Sequence, residues 1–101
     1  MIEANFYKKE NKIVKFDIKN HSEHMICAGV SALAVNAVNS IEEFTQDKFS
    51  VDMDIEGEII FELEDLPGRK AMLLLDSLLL GLIYIEKEFP EEMTISVKEE
   101  L

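Results

Sequence analysis

A chain of 101 residues, 48% of them hydrophobic, has room for one domain, residues 1–101, and enough apolar material for a core, although a chain this small gains stability from a second copy. Its single cysteine excludes an intramolecular disulfide, and with it the disulfide scaffolds of small secreted proteins. A net charge of −11 argues against direct binding of nucleic acid, because phosphates repel an acidic surface, and is compatible with a basic protein or peptide as partner.

Residues 2–8 mix apolar and polar side chains as a strand does, and residues 9–12 read as a turn. Residues 13–18 alternate, with Val14, Phe16 and Ile18 on one face and Ile13, Lys15 and Asp17 on the other; the two strands make a hairpin. Residues 19–26 break the pattern and read as a polar loop. From about Cys27 the period changes: Val30, Leu33, Ala34, Ala37, Ile41 and Phe44 fall at helical spacing. Ala28, Ala32, Val35 and Val38 occupy the other faces, which predicts a deeply buried helix ending near Gln46–Asp47.

Phe49, Val51, Met53 and Ile55 then alternate with Ser50, Asp52 and Asp54. Beyond Glu56 and Gly57, Ile59, Phe61 and Leu63 alternate with acids, giving a second hairpin with one apolar and one acidic face. Ten acids lie between Glu42 and Asp65 against one base, Lys48. Leu66, Pro67 and Gly68 break the chain, residues 69–89 read as a second apolar helix, and Pro90 stops it. Met93, Ile95 and Val97 alternate in a last strand. The order ββαββαβ predicts an α+β fold, a mostly antiparallel sheet with two packed helices. Two helices this apolar are more than one small sheet needs, which favours burial across a homodimer interface.

The first residues lack the basic flank and apolar run of a signal peptide. The most apolar stretch, residues 71–85, is interrupted by Asp76 and Ser77 and falls short of the roughly 20 apolar residues that span a bilayer. The expected address is the cytoplasm, where a lone thiol stays reduced, with no membrane partner.

The chemistry concentrates in residues 20–27. Cys27 lies where the polar loop becomes a helix, and a helix start stabilises a thiolate and offers unpaired N–H groups to an oxyanion. His21 is six residues earlier, close enough for the loop to fold back and bring imidazole to sulfur as a general base. Taken alone, this pattern is a weak signal: a single cysteine on an apolar helix is more often a small buried hydrophobe, with His21 and His24 as surface loop residues.

The run His21-Ser22, a short loop, and Ile26-Cys27-Ala28-Gly29-Val30-Ser31-Ala32-Leu33 resembles the signature of the ribosomal-processing cysteine protease (Prp) family. Val38-Asn39-Ser40-Ile41-Glu42 resembles the continuation of that helix, and the order of elements matches along essentially the whole chain. The resemblance implies a bacterial cytosolic α+β enzyme, usually dimeric. It implies removal of a short N-terminal extension from a large-subunit ribosomal protein, with His21 and Cys27 catalytic and no cofactor. Ser31 matches the family's helix serine; it either hydrogen-bonds near the site or packs within its helix. Ala28 follows the nucleophile as in the family motif. Asn20 and Ser22 replace the family's glycine and alanine, and His24 stands where many members hold an aspartate, as a second candidate base or as a loop residue. Two rival readings use the same residues. His21, His24 and Cys27 at i, i+3 and i+6 form an incomplete zinc set, so no metal is expected. A non-catalytic dimeric factor that binds a ribosomal protein needs only the apolar helices and the acidic faces.

Overall fold

The structure, a computed structural model, describes residues 1–19, 25–54 and 57–100. Strands β1 (Ile2–Lys9) and β2 (Lys12–Lys19) pair antiparallel around a two-residue turn. Both turn residues, Glu10 at φ 51° and Asn11 at φ 65°, take the left-handed conformation that matches the twist of a tight hairpin. The register slips between Tyr7 and Lys8, so Ile13 and Val14 are buried in succession. Ile13 was expected on the opposite face from Val14; the bulge returns it to the core, where it is fully buried.

Helix α1 (Met25–Phe44), strands β3 (Phe49–Met53) and β4 (Ile59–Leu63), helix α2 (Arg69–Glu88) and strand β5 (Met93–Glu99) complete the order ββαββαβ. The strands form one five-stranded sheet in the order β3-β4-β2-β1-β5. Strand β5 runs parallel to β1 and the remaining pairs are antiparallel, so this is a mixed α+β sheet. Helix α1 begins at Met25, two residues before its expected start at Cys27. Helix α2 follows Gly68, whose N–H donates to the Asp47 carboxylate at 2.9 Å, placing negative charge at a helix N-terminus, where it is favoured.

Alternation along each strand decides the layers. Ala4, Phe6, Phe16, Ile18, Ile59 and Phe61 are buried, whereas Asn5, Tyr7, Asp17 and Glu62 lie on the face away from the helices. Helix α1 adds Val30, Ala34 and Ile41 to this core, and α2 adds Leu75, Leu78 and Leu82. The helices pack closely enough that a Cβ at Gly81 would lie 3.1 Å from a Leu33 methyl, so glycine permits the approach. Four rings, Phe6, Phe16, Phe61 and Phe49, tie β1, β2, β4 and β3 together at centroid distances of 5.7, 5.1 and 5.0 Å.

Two burial expectations are corrected. Helix α1 is not buried all round: Ala28, Gly29, Ala32 and Asn36 are exposed, because a helix on one face of a two-layer fold keeps an outer side. The apolar face of β3 is only partly covered, because β3 is a sheet edge; Val51 is 37% and Met53 52% exposed. Ile55, expected to continue that strand, lies outside the described residues. Among the described residues no helix is long and apolar enough to cross a membrane.

Candidate active site

Cys27 is the third residue of α1. Buried Ile26 before it and buried Val30 after it pin the first turn to the core. Between them Cys27 is half-buried, packed against the same cluster yet open to the surface on one side. A nucleophile needs this combination of fixed backbone and partial access. A Cβ at Gly29 would lie 3.9 Å from a methyl of Ile85, so α1, just past its first turn, lies against the later turns of α2.

The N–H groups of the first turn of an α-helix have no partners within the helix, and they carry the positive end of the macrodipole. The first turn of α1 contains no acidic side chain to offset it. This end of α1 therefore suits a thiolate or the oxyanion of a tetrahedral intermediate. Ser31, one helical turn beyond Cys27, is half-buried, and Ala28 is exposed. Both candidate bases, His21 and His24, lie outside the described residues. Among the described residues no three His, Cys, Asp or Glu side chains gather as a metal site; the zinc set weighed above includes those two histidines.

The topology adds a relation that the sequence pattern did not disclose. Strand β2 ends at Lys19, with five residues between it and the start of α1, so α1 starts near the sheet end that carries Ile18. Ile18 pairs with Ile59, which pairs with Met53 at the end of β3. The edge strand thus runs toward the end of the molecule where Cys27 lies. Strand order, which links these residues, has no signature in the alternation of any one strand.

A half-buried thiol in the first turn of a helix, in a mixed five-stranded α+β fold, is an arrangement that can serve a small cysteine hydrolase. The family model described as cysteine protease Prp matches residues 1–94, and the chain belongs to that family of cysteine proteases. The chain is 27% identical over 96 residues to the ribosomal processing cysteine protease Prp of Staphylococcus aureus, covering 88% of this chain and 91% of that one. It is 25% identical over 108 residues to the Bacillus subtilis protein of the same name, covering 95% and 96%. The crystal structure of the essential S. aureus protease with a covalently linked product peptide superposes with a TM-score of 0.90 at 26% identity, over 97% of this chain and 100% of that one.

Proposed function

We propose that this protein is a cytoplasmic cysteine endopeptidase that removes a short N-terminal extension from a large-subunit ribosomal protein, with Cys27 as nucleophile and His21 as general base. The observation that carries the reading is the position of Cys27, fixed in the first turn of α1 yet half-exposed, in a chain of the Prp family. The S. aureus relative, crystallised with a covalently linked product peptide, supports it.

In this mechanism His21 takes the thiol proton and the Cys27 sulfur attacks the scissile carbonyl. The oxyanion forms beside the N–H groups at the start of α1, and the imidazolium gives its proton to the departing amine. Water, activated by the same imidazole, then hydrolyses the thioester and releases Cys27. Ser31 and His24 are supporting residues of the site. A homodimer is the acting form, supported by apolar side chains exposed along α2.

The test is incubation of the extended ribosomal protein with wild type, Cys27→Ala and His21→Ala, read by mass spectrometry of the products. Wild type cuts once near the substrate's N-terminus. Both variants lose at least about a hundredfold in rate, as expected for a nucleophile and its base. His24→Ala loses less than His21→Ala. Binding of the substrate by wild type with no cleavage would favour the non-catalytic assembly factor instead.

A further inference from the structure

The two edges of the sheet are unequal. At β5, the Glu86 carboxylate reaches from α2 and accepts the Ile95 N–H at 2.8 Å, so a side chain occupies that edge. At β3, Glu64 N–H donates to Lys48 O at 2.9 Å and Asp54 N–H donates to Glu58 O at 3.1 Å. Alternation between these bonded pairs turns the backbone groups of Ser50 and Asp52 toward β4 and those of Phe49, Val51 and Met53 outward. An uncovered edge with partly exposed apolar side chains invites pairing with another chain, and proteins usually block it with lysine, proline or a bulge. Strand β3 carries none of the three.

We propose that β3 takes the substrate as an added strand, and that the preferred peptide alternates apolar with basic side chains. The proposal rests on the peptidase reading in that the added strand is the substrate. One side of the added strand would meet the half-exposed apolar row of Val51 and Met53 on the helix side of the sheet. The other side would meet Ser50, Asp52 and, one strand in, Glu62, with the one base of that row, Lys48, at the end of β3 away from Cys27. Main-chain bonds supply affinity without sequence preference, and the two rows supply the preference. Because β3 runs toward the sheet end nearest the start of α1, a peptide along it is led toward Cys27.

The experiment measures fluorescence anisotropy of two labelled decapeptides, alternating Leu-Lys and alternating Leu-Glu, on the Cys27→Ala protein, so that binding is read apart from turnover. The Leu-Lys peptide binds and the Leu-Glu peptide does not. Val51→Pro removes an outward N–H without breaking the β4 ladder and weakens binding at least about tenfold, with an intact cooperative melt. Asp52→Lys, which leaves the backbone unaltered, weakens it comparably, and this variant decides the matter if Val51→Pro fails to fold. Unchanged binding in Asp52→Lys, unchanged binding in a folded Val51→Pro, or equal binding of the two peptides overturns the proposal. A change in sedimentation of the free protein without a change in peptide binding overturns it in favour of a second copy at β3. Binding with the expected dependence but no cleavage by wild type refutes the peptidase reading and leaves the docking surface standing.

Discussion

Tyr7 shows how the polar face of the sheet is organised. Its hydroxyl donates to Asp17 Oδ2 at 3.0 Å, and Asn5 Nδ2 donates to Asp17 Oδ1 at 2.8 Å. Ser96 Oγ donates to Asn5 Oδ1 at 2.6 Å, and the ammonium groups of Lys15 and Lys98 lie 5.2 and 5.7 Å from the centre of the Tyr7 ring. Burial, and then the hydrogen bond and charge of Asp17, raise the Tyr7 hydroxyl above its ordinary value. The folded state thus holds the phenol proton more tightly than the unfolded chain. That contribution is complete below about pH 10 and is lost as pH rises through the raised value. Tyr7→Phe should flatten the alkaline fall in stability and cost about 1 kcal/mol at pH 7, read by urea denaturation at pH 7 and at a series of pH values above about 10. An unchanged alkaline slope would contradict this. None of this network was legible beforehand, because it joins β1, β2 and β5 and depends on strand order. Cys27 was legible, because the change from a polar run to helical spacing marks a helix start within two residues.

At the scale of elements, each strand and helix followed from its own period. The Gly-containing turn and the alternation at Phe49 and Ile59 placed the β3–β4 hairpin, and Pro90 placed the end of α2. Failures came where one element's environment depends on another. Alternation in β3 implied a covered apolar face, but β3 is a sheet edge and among the described residues pairs with β4 alone. The regular pattern at Ile13 hid a bulge set by its partner strand. The ring row shows what pairing adds: Phe16 stacks between Phe6 and Phe61 and so connects three strands. Phe16→Ala should destabilise by about 3–5 kcal/mol, more than a single unshared contact explains. A chemical-denaturation loss below about 1 kcal/mol would show that the row is not the centre of the core.

At the scale of the molecule, apolar material left outside the core points to a second copy. Leu73, Leu80 and Tyr84 on α2 are 69%, 56% and 61% exposed. With Arg69 they are spaced symmetrically about the midpoint between Asp76 and Ser77. A two-fold axis needs such self-complementarity. In an antiparallel pair of α2 helices, Leu73 would meet the partner's Leu80 and Arg69 would meet the partner's Tyr84, a cation over a ring. The proposed dimer predicts that Leu80→Glu shifts the protein to monomer in sedimentation velocity with its fold intact. An unchanged sedimentation coefficient would place the interface elsewhere.

The central claim is that Cys27 performs the chemistry, and it is tested most directly by acid-quenching the protein during turnover of the extended ribosomal protein and mapping its peptides by mass spectrometry. The account predicts a substrate fragment joined as a thioester to Cys27 in wild type, with neither adduct nor product in Cys27→Ala. Undiminished cleavage by Cys27→Ala would contradict it.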